Sequence, residues 1–212
     1  MADSEFIEQL KIQSLFTRCM YYRDCHQWEK VLETYHPDTS KTLCELSWIR
    51  GTVVDWVEGC KKIAAAPHTA SHHVIHPIEA VINGDRALCF STADMTVRAT
   101  IEGVEVDITS FVRFVNRVVR TTVPGNRKEW RILTFQPTYV SDNISKTGLG
   151  SGSKELTVQV DDKARPTYKH LEWVLSRRGV QVGRDLPGVD VPESAEQVVK
   201  AAEAWLRESD QE

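Results

Sequence analysis

Apolar residues recur at helical spacing over residues 4–22, where Phe6, Ile7, Leu10, Leu15, Cys19 and Met20 would share one side of a helix. The polar stretch "RDCHQ" interrupts the pattern. Trp28, Val31, Leu32 and Tyr35 then fall at i, i+3, i+4 and i+7, which predicts a second amphipathic helix stopped by "HPD" at 36–38. Cys44, Leu46 and Trp48 alternate, as in a short strand. Gly51-Thr52 opens a third helix with Val53, Val57, Cys60 and Ala64 on one face, and Pro67 ends it.

From here the period changes to two. Residues 73–82 read as a strand, and "NGD" at 83–85 as a hairpin turn, because Asn-Gly accepts positive φ. Ala87, Cys89, Ser91, Ala93, Met95 and Val97 alternate along the next strand. A long strand over 104–119 follows, with Val106, Ile108, Ser110, Val112, Phe114 and Asn116 on one face. "VPGNRKE" reads as a loop and "WRILTFQPTYV" as a final strand. Three helices followed by a meander of four long strands predict an α+β domain, with the helices on one face of a curved antiparallel sheet.

After Asp142 the character shifts. "SKTGLGSGSK" is Gly/Ser-rich. "RPTYKHLEWVLSRRG" predicts a helix with Pro166 in its first turn and Gly179 at its end. Ser194-Ala195-Glu196-Gln197 has the form of a capping box, with Val198, Ala202, Trp205 and Leu206 as the apolar stripe behind it. We therefore divide the chain into a core domain, 1–145, and a linker with a helical C-terminal extension, 146–212.

Composition narrows the partners. The 212 residues are 41% hydrophobic and 26% charged, with a net charge of −4, which is ordinary for a globular protein and gives no reason to expect nucleic acid or an acidic membrane surface. The acidic, polar start "MADSEFIEQL" is not expected to be a signal peptide. No apolar run approaches the ~18 residues of a membrane span. The five cysteines are scattered and form no C-x-x-C. Reduced thiols and a cytoplasmic location follow as expectations.

Three stretches carry a family resemblance. "LFTRCMYYRDCHQWEKVLETYHPD" resembles the opening of SnoaL-like domains, "HHVIHPIEAVINGDRALCFSTADM" their His-bearing strand and Gly-Asp hairpin, and "FVRFVNRVVR" with "EWRILTFQP" their last strands. Over about residues 5–140 the chain is similar to the SnoaL and scytalone dehydratase branch of the nuclear-transport-factor-2-like superfamily. The resemblance implies a cone-shaped α+β barrel: a highly curved antiparallel sheet around a pocket closed by the N-terminal helices. It also implies a homodimer or homotrimer, and an Asp after the first helix paired with a His on the strand before the hairpin. Asp24 and His73 match those positions. An Asp fixes the imidazole's tautomer and stabilises its protonated form, so the His can serve as general base and then acid.

Other readings of these residues stand beside that one. Asp24-Cys25-His26-Gln27 before Trp28 is also a capping box. His73 lies in "HTASHHVIHP", with four of the chain's seven histidines. His68, His72 and His76 have i, i+4, i+8 spacing, yet Pro67 and Pro77 bracket the segment and no H-E-x-x-H is present. On a strand, His72 and His76 face away from His73, so no metal is expected. Scytalone dehydratase has a Tyr just before its Asp; Arg23 stands there in this chain, so either Arg23 itself would stabilise an enolate oxygen or Tyr22 or Tyr35 would replace that Tyr. Trp48, Ser110 and Arg113 complete the candidate substrate-binding set, although Ser110 and Arg113 lie on opposite faces by parity.

No G-x-G-x-x-G, P-loop or G-x-S-x-G is present, so no cofactor is expected. The resulting expectation is a cofactor-free lyase or isomerase (dehydration, isomerisation or cyclisation) acting on a small apolar oxygenated metabolite of secondary metabolism. The alternatives are a non-catalytic ligand-binding or dimerisation module and the small structural subunit of a ring-hydroxylating oxygenase.

Overall fold

A stripe of buried residues at spacings of three and four, Ile12, Leu15, Phe16, Cys19, Met20 and Arg23, sets the orientation of the first helix, α1 (Ala2–Asp24). The computed structural model describes residues 2–65, 70–148 and 155–208. Phe6, Ile7 and Leu10 share the helical period but are exposed, so the covered stripe begins only at Ile12. Helix α2 (Trp28–Thr34) follows a tight turn in which His26 adopts φ +56°. Its N-cap is Gln27, without a side-chain cap bond. The capping box expected of Asp24 does not form, because α1 continues through Asp24 and turns its carboxylate elsewhere. Helix α3 (Val53–Ala64) begins as expected: Thr52 and Asp55 form a reciprocal capping box.

The main sheet is built from β3 (Ala70–Asn83), β4 (Arg86–Ile101), β5 (Val104–Val123), β6 (Arg127–Ile132) and β8 (Pro137–Lys146). A smaller sheet joins β1 (Leu43–Leu46), β2 (Ile49–Gly51) and β7 (Thr134–Phe135). The β3–β4 turn has Gly84 and Asp85 at its centre, with positive φ at Gly84. Thus Gly occupies the first central position, as a II′ turn requires, and Asn83 closes the strand.

The predicted final strand is instead three. Leu133 donates its N–H to Arg117 of β5 and accepts at its carbonyl from Leu43 of β1, so the chain passes from the main sheet to the small one at that residue. Pro137, which has no N–H to donate, begins the return. Strands β6 and β8 then pair with different stretches of the same β5 edge, Val118–Val123 and Val106–Phe114. The sheet stays open, so the architecture is a cone-like α+β fold without a closed barrel. Inside, Tyr35, Trp56, Phe135 and Phe114 stack in a chain of contacts 4.8–6.0 Å between ring centroids. No helix among the described residues is long and apolar enough to cross a membrane.

The C-terminal region packs on this core at two places. Helix α5 (Pro192–Arg207) lies on the outer face, where Ala202 and Leu206 bury against Leu88. Its N-cap is Val191, with Pro192 and Glu193 in the first turn. Ser194 bonds back to the Val191 carbonyl and does not cap the helix as expected. Helix α4 (Lys169–Arg177) lies across the opening of the cone, and Pro166 precedes it.

Asp142 of β8 fastens α4. Its side chain is fully buried. It accepts from the Leu171 N–H at 2.7 Å and pairs with His170 Nδ1 at 2.8 Å, a carboxylate capping the first turn of the helix from a neighbouring strand. Asp142→Ala is expected to strand the Leu171 N–H, cost about 1–3 kcal/mol, and accelerate amide exchange selectively in α4. Mass-spectrometric hydrogen exchange showing α4 as protected as before would refute that fastening role.

Candidate functional site

Arg23 and Asp24 lie four residues beyond Cys19 and Met20, so the buried stripe of α1 ends in a charged pair. On β3, Ser71, His73 and Ile75 alternate inward, while His72 and His76 are exposed on the other face. His68 lies outside the described residues. Register brings the remaining parts together: His73 pairs with Met95, Met95 with Ser110, and Ser110 with Asp142. Directly opposed residues share a face, so these four form one row across the inside of the sheet.

Asp24 holds His73 twice. Oδ2 accepts from the His73 backbone N–H at 2.7 Å, and Oδ1 lies 2.8 Å from the ring Nδ1. Arg23 Nη1 donates to Asp24 Oδ1 at 2.9 Å and also to Ser71 Oγ. The side chains of Arg23, Asp24 and His73 are 9%, 15% and 10% exposed. Burial pushes the Asp24 carboxyl up, but hydrogen bonds from the His73 ring and backbone and from Arg23 outweigh it, and the group lies below the usual aspartate value. With Asp24 ionised, Nδ1 carries the imidazole proton. The 3.2 Å approach of Arg23 Nη1 to Nδ1 is then a contact between two donors.

Burial lowers the pKa of His73, and the nearby Arg23 charge adds to it, against the opposing pull of Asp24. The net result lies below the ordinary 6.5, so near pH 7 the ring is neutral and Nε2 is an available base. The unfolded chain binds the His73 proton more readily than the native state does. Its contribution to stability is therefore complete above about pH 6.5 and declines as pH falls through the folded value. Nitrogen-15 spectra of the ring should show the Nδ1–H neutral tautomer at pH 7 and a midpoint below 6.5. A midpoint above 7 would contradict this account.

A cavity of about 80 Å³ opens beside His73. Its walls come from every layer: Trp48 from the β1–β2 turn of the small sheet, Met95, Ser110 and Tyr139 from the main sheet, and Leu175 from α4. A larger, open groove of about 670 Å³ runs along the outer face beside α5. Among the described residues its one ion pair, Glu196–Lys200, is solvent-exposed on α5 and no histidine lines it, so the inner cavity, with the buried Asp24–His73 pair, is the candidate site. Among the described residues no cluster of three or more His, Cys, Asp or Glu is arranged to hold a metal.

Of the residues singled out from sequence, His73, Arg23, Trp48 and Ser110 line the cavity, with Asp24 behind His73. Three others do not reach it. Tyr22 is partly buried between Tyr21 and Lys30. Tyr35 is buried in the core, its hydroxyl against the Cys44 thiol. Arg113 is exposed in the outer groove, since Ser110 takes the inward parity.

The tyrosine in the cavity is Tyr139, which sequence reasoning missed. Its hydroxyl accepts from the Ser47 N–H at 3.0 Å, and burial pushes its pKa up to about 12, so it retains a proton to donate. A bulge between Phe111 and Val112 shifts the β8 register, which is why alternation alone could not assign its face.

The chain belongs to the SnoaL-like domain family, whose model matches residues 5–136. It is 27% identical over 191 residues to "Uncharacterized protein AN9274" of Emericella nidulans, covering 88% of this chain and 78% of that protein. Among solved structures it is similar to the Kfla4162 protein of Kribbella flavida (TM-score 0.49, 19% identity, 65% of this chain and 92% of that one). It is also similar to a ketosteroid isomerase-like protein of Erwinia carotovora atroseptica (TM-score 0.45, 13% identity, 66% and 97%).

Proposed function

We propose that this protein is a cofactor-independent lyase or isomerase that moves a proton next to a carbonyl group of a small, largely apolar metabolite. The observation that supports it is the Asp24–His73 pair, bonded at 2.8 Å with the ring against a largely apolar cavity. In this reading Nε2 of His73 removes the C–H proton and the electron pair moves onto the carbonyl oxygen. Tyr139 donates a hydrogen bond to that oxygen, with Ser110 as a second donor. The imidazolium, stabilised by Asp24, then returns the proton, either to a leaving hydroxyl, which departs as water, or to another carbon.

The cavity is smaller than the ~150 Å³ that accommodates a benzene ring, so ring-sized substrates require α4 to lift. A place in secondary metabolism and a homodimer or homotrimer belong to the same reading; Ile78 and Val81 are exposed apolar groups on the outer face of β3. The test is deuterium uptake next to the carbonyl, followed by NMR in D₂O, across panels of β-hydroxy ketones and β,γ-unsaturated ketones. Enzyme-dependent uptake in at least one panel is expected. Uptake no faster than in buffer throughout both panels counts against the reading.

A further inference from the structure

The cavity wall includes two guanidinium groups and no carboxylate. The first, Arg23, is committed to Asp24 and Ser71. The second, Arg178, lies at the C-terminal end of α4, outside the 5–136 span of the family match. Among the described residues its side chain has no hydrogen bond or ion pair; only its backbone N–H is engaged, with the Leu175 carbonyl. Its guanidinium lines the cavity at the exposed rim, and the desolvation it meets there lowers its pKa. Asp24 balances Arg23 and His73 is neutral, so among the described residues Arg178 is the charge lining the cavity that has no partner.

We infer that the substrate of this cavity carries a carboxylate, and that Arg178 is the residue that recognises it. A planar guanidinium fork matches a carboxylate in two parallel hydrogen bonds, and one such group would neutralise the site. Because Arg178 directly follows α4, the same contact holds the helix against the bound molecule. Asp142, which fastens the other end of α4, stands in the same cross-strand row as His73. The inference rests on the inner cavity being the substrate site, and it adds the chemical class of what enters.

The experiment compares propionate with propionamide, two ring-free probes of nearly one shape that differ in charge. Binding is followed through the indole N–H signal of Trp48, which lines the cavity. The full-length protein should bind propionate about tenfold more tightly than propionamide, the lower end for a charged hydrogen bond at a partly exposed site. Arg178→Met should abolish the preference with an unchanged melting temperature, and Arg178→Lys should keep part of it. Arg113→Met, in the outer groove, should keep it whole. The inference is overturned if propionate does not bind, if the two probes bind equally, or if the preference persists in Arg178→Met or disappears in Arg113→Met. Failure of the catalytic reading appears separately: a protein that prefers propionate yet promotes no deuterium uptake retains this recognition and loses the proposed chemistry.

Discussion

His73→Ala is expected to lower enzyme-dependent deuterium uptake by about 10²–10⁴-fold, the usual contribution of a positioned acid–base group. The size follows from geometry. Asp24 grips both the backbone and the ring of His73, so the imidazole is oriented before substrate arrives and Nε2 is the only ring nitrogen left for chemistry. The uptake rate of the wild-type protein should fall on the acid side with a midpoint below 6.5, because burial and Arg23 disfavour the imidazolium. His73→Ala should lose that acid limb together with the rate. A variant that exchanges as fast as the wild type would remove His73 from the mechanism, and an acid limb that survives the substitution would assign it to another group.

Asp24→Asn is expected to damage both activity and stability. The amide cannot stabilise an imidazolium, and it leaves the 9%-exposed Arg23 side chain without its counter-charge. Removing one member of a buried ion pair costs about 3 kcal/mol, seen as a lower midpoint in urea or heat. The double change Arg23→Met with Asp24→Asn removes both charges and should recover much of the stability while activity stays lost. A capping role would give the opposite pattern, since Asn caps a helix nearly as well as Asp. Stability of the single variant equal to wild type would therefore argue for a cap over an ion pair.

Much of the scaffold is legible in the amino-acid order because it depends on local period. The alternation of Val106 to Asn116 places those side chains inside, and Thr52 with Asp55 marks the start of α3. Parity separates His73 from His72 and His76, and Ser110 from Arg113. Local rules fail where two segments compete for one partner. The stretch from Trp130 to Val140 is uniformly strand-like, yet Leu133 divides its hydrogen bonds between two sheets. Nothing within that stretch reports the other strand it meets.

The candidate site divides along the same line. Sequence by itself determined that Arg23 and Asp24 follow a helical stripe, that His73 sits on the inner parity of its strand, and that the chain has the motif order of its family. Only the tertiary structure decided which tyrosine reaches the cavity, that Asp24 holds His73 and leaves α2 uncapped, and that α4 brings Arg178 to the rim. The physical reason is range. Periodicity reports which face of an element is apolar, over a few residues. A bulge that shifts register, a hydrogen bond spanning 49 residues, and a helix laid over a pocket more than 20 residues after the last strand of the core are settled by close packing between distant segments.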